Sequence, residues 1–498
     1  MSTGGVAPGG AIRTISAIAR MELTTAWRDR STLALTGALT LLLVTAAVVG
    51  QLRHDAEARQ RQRYQAIVGE AFDAQPDRHP HRVSHYGYLV FRPPAPLGFF
   101  DRGIGAFTGT SVFLEAHRQN SANFSAAGQG SSLERLGDLS MAAVLQLFLP
   151  LFAFAVAGTA LTREREQGTL SLLLCQGASW RLLLWGKFLG MLVLVSAAAA
   201  PGLLIAGAWL GLTSGGAWTP GVITRVALLL PLHGAFLATC VACAVLVSAT
   251  QRTSRSAVIL LASVWFMLWI LVPRALPMVA EAVAPTPARA GFEAEVDARL
   301  RELGDSHDPN DPAFARLRAD TLARYGVSRV EELPFNYGGL VNREGEARTS
   351  AAYRQHVDTL LATYGRQEMV VRVAGVLSPY VAVRLGSMAL SGSDSAHAFE
   401  FERQAEAFRY RLIQDLNGLH MTEVTAARDR YGAVVNGAPT RERIDAERFR
   451  ELARFEFEWP SALWALRQQG LGLLAGLPAL AAALVGLSWL GRRNPAGA

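Results

Sequence analysis

The sequence predicts an all-α polytopic membrane protein with six transmembrane helices, an N-terminal amphipathic interface helix and a mostly helical exterior domain. Three observations carry this. Half of the 498 residues are hydrophobic and only 18% are charged, against about 25% charged in ordinary soluble domains. Mean hydropathy is +0.20. The missing charge is concentrated: residues 33–50, 139–162, 188–224, 226–251 (apart from His233), 256–273 and 468–491 carry no charged side chain and no polar face. A crossing of about 30 Å of hydrocarbon takes about 20 such residues in a helix.

In chain order, residues 1–32 form a tail whose 12–28 segment places Ile12, Ile15, Ala19, Leu23, Ala26 and Trp27 on one stripe, an amphipathic helix lying along a membrane surface. The first crossing, 33–52, has a long basic lead and no convincing small-residue cleavage site, which fits an uncleaved anchor. Residues 53–139 begin as a helix and become loop-rich. Crossings follow at 140–162, 183–212, 221–249 and 256–276, with an outer turn rich in Gly and Ser after 212. Residues 277–463 carry helix punctuation: Asp311 before Pro312, Ser393 or Asp394 opening a 394–430 helix, and breaks at Pro334 to Gly339 and at Ser378-Pro379. Their expected core includes Leu300, Leu303, Leu360, Leu361, Phe399 and Phe408. The last crossing is 464–490, and 491–498 form a tail.

Charge orients the chain. Outside 53–139 and 277–463 there are 15 basic residues, and 12 of them lie in four places: Arg13, Arg20, Arg28 and Arg30; Arg163, Arg165, Arg181 and Lys187; Arg252 and Arg255; Arg492 and Arg493. Six crossings put these on one face, which the positive-inside rule makes cytoplasmic, with both termini. Residues 277–463 hold 23 basic and 28 acidic groups, a balance that disfavours nucleic acid.

Several chemistries are excluded or weak. No G-x-x-x-x-G-K-[ST] loop occurs, so the chain does not itself hydrolyse nucleotide in the P-loop manner. Cys240-Val-Ala-Cys243 lies within an apolar run and reads as helix packing. No nucleophile–base constellation is evident and no catalytic residue is assigned. His79, His81 and His85 form an H-x-H-x-x-x-H cluster that suits a borderline metal, although solvated loop histidines read the same way. His233 is an intramembrane ionisable group: a pathway residue, or a neutral imidazole bonded to a neighbouring helix.

The most specific signal lies in 163–182. Arg163-Glu164-Arg165-Glu166-Gln167-Gly168-Thr169-Leu170 is a charged helix end that breaks at glycine, followed by a short apolar helix capped by Thr169 and a basic re-entry at Gly186-Lys187. Such an elbow docks in a cleft of another protein and passes a push to the helices beside it. R-E-x-G-T-L with a downstream G-K resembles the coupling loop of ABC-2-type transporter permeases, and the N-terminal helix with Glu22 and Trp27-Arg28-Asp29-Arg30 resembles that family's interface helix. The stretches His81 to Tyr88, Phe107 to His117, Leu333 to Gly339 and Ser387 to Gly392 are similar to a long bacterial subgroup with two large periplasmic insertions.

The resemblance implies the transmembrane subunit of a bacterial inner-membrane ABC transporter, most simply an exporter. It implies a separate ATPase dimer carrying ATP and Mg, no cofactor bound directly, a second permease copy or paralogue, surrounding lipid, and a periplasmic protein as a further partner. The ATPase-coupling residues it implies are Glu22, Trp27, Arg28, Asp29, Arg163, Glu164, Arg165, Glu166, Gly168, Thr169 and Lys187. Two alternatives stay open: a non-transporting complex that transmits force to a periplasmic partner, and a secondary transporter or channel.

Overall fold

The computed structural model describes residues 8–129, 139–176, 178–213, 218–426, 429, 434–435, 438–439, 442–452 and 454–492. The expected outer turn at 214–217 and Arg493 lie outside the described residues. Helix α1 (Pro8–Arg28) is followed after one residue by α2 (Arg30–Asp73). At 1.5 Å per residue, the 44 residues of α2 extend for about 66 Å, roughly twice the hydrocarbon thickness. Its apolar first half is long and apolar enough for a crossing, and its polar second half continues the same helix.

Helix α3 (Pro80–Tyr86) and an antiparallel hairpin, β1 (Tyr88–Phe91) with β2 (Ser111–Leu114), follow. The apolar helices α4 (Met141–Glu166), α6 (Trp180–Thr213), α7 (Pro220–Thr250) and α8 (Ser254–Val283) join α2, making five described helices long and apolar enough to cross a membrane. Between α4 and α6 lies the short α5 (Thr169–Cys175). Leu43 and Ala46 of α2, Ala153 of α4, Val195 of α6 and Val245 of α7 form the shared core and are fully buried.

The expected sixth crossing, 464–490, is not one helix. The segment contains helix Ala462–Gln469, a tight 3-10 turn at Gly470–Leu474, and helix Leu477–Leu490. Gly470 takes φ 48°, which only glycine adopts freely, and Pro478 cannot donate to the preceding turn. The final helix reaches only about 21 Å.

The exterior residues depart from the sequence reading more. Helices α9 (Arg289–Glu302), α10 (Ala315–Tyr325) and α11 (Tyr337–Leu377) lead to α12 (Pro379–Ser391) and α13 (Ser395–Glu423). Helix α12 does not stand outside: it packs within the bundle. Eleven of its 13 residues are buried, and Tyr380 stacks on Trp269 of α8 with ring centres 6.1 Å apart. Arg225 of α7 donates to the α12 carbonyls of Leu390 (2.9 Å) and Ala389 (3.4 Å), a cation on the negative end of a helix. A 13-residue helix carrying Arg384 is too short and too interrupted to register as a crossing, so hydropathy alone assigned it to the exterior. The end of α11 that leads into it exposes Met369, Val373 and Leu377, as a lipid-facing surface would.

The two insertions share one core. Phe72, Val83, Val90 and Leu114 from the first pack against Phe401, Phe408, Leu412 and Phe449 from the second. Of the core positions expected in 277–463, only Phe408 is buried. Leu300, Leu303, Leu360, Leu361 and Phe399 are half-exposed, because the expected periodicity was that of a domain folding on itself. The hairpin was also unforeseen. The predicted helix starts hold: Asp311 caps the turn at Pro312–Phe314, and Asp394 caps α13.

A buried charge network ties these pieces. Arg409 of α13 donates to Glu346 Oε1 of α11 (2.6 Å), Glu406 Oε2 (2.7 Å), Ser350 Oγ (2.8 Å) and the Glu115 carbonyl (3.0 Å). Burial pushes the Glu346 carboxyl up, but hydrogen bonding from His117 and the Arg409 charge outweigh it and hold it at about 2. Arg409→Met leaves Glu346 buried without its counter-charge and should destabilise the exterior domain by about 3–5 kcal/mol. Because Glu346 sits below its ordinary value of 4.5, its contribution is complete above that value and is lost as pH falls towards about 2. Thermal unfolding of the purified chain followed by circular dichroism checks both. An unchanged midpoint in the variant, or no acid-side loss in the parent, contradicts this role.

Candidate functional site

The elbow forms where α4 ends. Gly168 takes φ +73°, ψ 3° and turns the chain into α5. A Cβ there would meet nothing within 4 Å, so glycine is required by backbone conformation and not by crowding. Thr169 is not the cap expected of it. Gly168 occupies that position, and the Thr169 hydroxyl instead donates to the Glu164 carboxylate and to the Glu164 carbonyl at 3.2 Å.

Beneath the elbow lies a buried latch. The Lys187 ammonium of α6 donates to Glu22 Oε1 of α1 at 2.5 Å and to Glu164 Oε1 of α4 at 2.7 Å. Lys187 is 1% exposed and is the chain's single lysine, beside 47 arginines. A compact ammonium with three divergent donors fits between two carboxylates, whereas a planar guanidinium imposes a fork. Burial pushes the Glu22 carboxyl up against the pull of Lys187. Close packing brings the partners together: a Cβ on Gly186 would lie 2.7 Å from Ile18 Cβ, and one on Gly190 3.0 Å from Ala19 Cα. Thus α1 buries Ile18, Glu22 and Ala26 on α6, while Ile12 and Trp27 of the predicted stripe are about 70% exposed.

Arg165 and Glu166 clamp the other side. Arg165 donates to the carbonyls of Gln251 and Ala249 (3.3 Å), at the C-terminal end of α7. The Glu166 carboxylate accepts from Ser254 N and Ser254 Oγ, both at 2.7 Å, at the start of α8. Each charge meets the helix end of opposite polarity. Ser248 Oγ accepts from Leu161 N at 2.9 Å, closing the junction.

Several of the charged side chains expected at the docking surface also have partners within the chain. Glu164, Arg165 and Glu166 spend their charges holding the elbow to the bundle, and Asp29 is the N-cap of α2, accepting from Ser31 N (3.2 Å) and Thr32 N (3.3 Å). The Ser31 and Thr32 hydroxyls hold the Asp29 carboxyl at about 2. The exposed residues here include Trp27, Arg28, Arg163, Glu166, Gln167, Gly168, Ser171 and Leu172. Sequence reasoning missed Gln167 and Leu172; their position on either side of the helix-breaking Gly168 was the available signal.

The histidines separate into three settings. His233 is a bonded interior imidazole: its Nδ1 lies 3.0 Å from the Leu229 carbonyl and its Nε2 3.3 Å from Gln146 Nε2. His79 caps α3 and pairs with Asp429 (3.2 Å), whose other oxygen meets His420 at 2.6 Å. His81 and His85 instead join His117 and His307, two histidines the sequence reading did not single out.

Lys187→Met leaves two carboxylates facing each other and should release α1. Trypsin cleavage at exposed Arg20 should rise and the thermal midpoint in detergent fall, whereas Gly168→Val, which is strained at φ +73° but leaves Lys187 and Glu22 in place, should lower the midpoint without raising cleavage at Arg20. Equal resistance of Lys187→Met and the parent would discount the latch.

A family model described as "ABC-2 family transporter protein" matches residues 16–312, and a domain of unknown function, DUF3526, matches residues 292–458. No curated protein matches the chain. The first match takes in most of α1, the elbow, the latch and all five long apolar helices, more than half of the sequence, and this chain belongs to the ABC-2 transporter family.

Proposed function

We propose that this chain is the permease subunit of an inner-membrane ABC exporter, driven by a separate ATPase pair that docks on the elbow, with ATP and Mg held on that partner. The observation that carries the reading is the contrast between the two sides of the elbow. Its inner side is clamped to α1, α6, α7 and α8 by Lys187, Arg165 and Glu166, so a push on it moves those helices as a rigid group. Its outer side leaves Arg163, Gln167 and Leu172 exposed, and Trp27 of α1 is exposed as well. A second permease copy or a paralogue completes the pathway. On this reading the elbow end and both termini are cytoplasmic, and the insertions are periplasmic.

Transmission of force to a periplasmic partner is a second reading, supported by one observation: α2 continues unbroken from the elbow end into the exterior core at Phe72. Flux of substrate into vesicles supports export, and ATP hydrolysis without flux supports force transmission.

Leu172→Glu places a charge on the exposed side of α5 and should reduce co-purification of the co-expressed ATPase at least tenfold, since one wrong charge in a small interface costs several kcal/mol. Membrane insertion should be unaffected. Normal co-purification with normal coupled activity would remove the docking assignment. For topology, the exposed native Cys175 should resist an impermeant thiol reagent in intact cells, whereas Asp308→Cys in a Cys175→Ser background should react. Labelling of Cys175 from outside reverses the orientation.

A further inference from the structure

Four histidines from three separate segments converge in the exterior domain. His81 and His85 are one turn apart on α3, so both project from one face. His117 follows β2, and His307 lies in the loop between α9 and the turn at Pro312–Phe314. All six ring-centre separations lie between 4.6 and 5.8 Å. One nitrogen from each ring lies within 4.8 Å of the other three, and His81 Nε2 and His85 Nε2 are 3.1 Å apart. A tetrahedral ion with metal–nitrogen bonds of 2.0–2.1 Å sets its ligand nitrogens about 3.3 Å apart. The widest pairs need to close by up to about 1.5 Å, and His85 and His307 are exposed enough to do so.

The surroundings orient the rings as ligands. His117 Nδ1 faces Glu346 Oε2 at 3.3 Å, and His307 Nδ1 faces Asp305 Oδ1 at 2.8 Å. A carboxylate on one ring nitrogen fixes the tautomer and turns the other nitrogen's lone pair outward, the usual support of a metal-bound imidazole. His117 Nε2 and His81 Nδ1 are buried with no hydrogen-bond partner among the described residues. His117 also holds a left-handed backbone, φ 61°, secured by its N–H to Glu346 Oε2 at 2.9 Å, a conformation that a non-glycine residue keeps only where its surroundings demand it. Four imidazoles crowded around a common centre leave lone pairs facing one another, an arrangement that a cation relieves.

We infer that His81, His85, His117 and His307 form a binding site for a borderline first-row transition-metal ion, Zn²⁺ or Cu²⁺, that fastens the loop at 304–311 to α3. The donor set excludes Mg²⁺ and Ca²⁺, which require oxygen ligands, and imidazole suits zinc and copper. The neighbouring His79–Asp429–His420 group is a different case, because its carboxylate already bonds both rings. The site departs from the sequence-based expectation that no cofactor is bound directly, and it does not depend on the ATPase-docking assignment.

The test uses purified full-length protein, stripped with EDTA and titrated with Co²⁺ as an optical probe, then with Zn²⁺ and Cu²⁺. One Co²⁺ per chain with tetrahedral absorption bands, displaced by Zn²⁺ or Cu²⁺, and a raised thermal midpoint are expected. His85→Asn and His307→Asn change exposed positions, so they should keep the parent's circular dichroism while weakening binding at least tenfold each. His420→Asn should bind as the parent does. Failure of the parent to retain stoichiometric Zn²⁺ or Cu²⁺ overturns the site. So does binding that survives both His85→Asn and His307→Asn, or that is lost in His420→Asn alone.

Discussion

One ammonium group holds the elbow end of this protein in register. Lys187 lies between Glu22 and Glu164, and so joins α1, α4 and α6 at a single buried point. Removing three charged groups from water carries a large desolvation cost, and such clusters add little stability compared with apolar packing of the same volume. Their value is in specifying geometry, since two carboxylates and one ammonium are satisfied together in one arrangement only. The elbow's orientation follows from that arrangement, helped by Arg165 and Glu166 at the ends of α7 and α8. On the proposed reading, a coupling element has to be rigid on its inner side if a push is to reach the helices behind it, and these charges would serve that end.

The same logic extends to the far end. Helix α2 carries the chain from the elbow into the exterior core, and α12 returns from that exterior into the bundle, where Arg225 caps its carbonyls. Among the described residues, the exterior domain is therefore joined to the apolar helices by α2 and by the α11–α12 turn. Within it, Arg409 and Glu346 bind α13 to α11, and Glu346 also reaches His117. Core packing and the histidine cluster share that carboxylate, so the position of one ligand ring is determined by the charge network beneath it.

Much of this was legible in the sequence because the membrane imposes a local rule. A crossing needs an uninterrupted apolar run, and every backbone group in it must be bonded within its own helix, so α2, α4, α6, α7 and α8 announce themselves without knowledge of their neighbours. Capping is local too, which is why Asp311, Asp394 and the glycine elbow were readable. Features that depend on partners were not. Helix α12 is too short to qualify as a crossing and is buried because α7, α11 and the 462–474 segment pack around it. The Glu22–Lys187 contact spans 165 residues.

What the sequence determined by itself was the polytopic helical class, five of the crossings and the elbow's place in the chain, since each is encoded in contiguous residues by hydropathy or backbone preference. The tertiary structure alone decided which elbow charges face inward, that the two insertions share one core, and that His81 and His85 meet His117 and His307 while His79 does not. Those outcomes depend on which distant side chains arrive at the same point. Charge pairing and metal ligation are short-range in space and indifferent to separation along the chain, so only the folded backbone settles them.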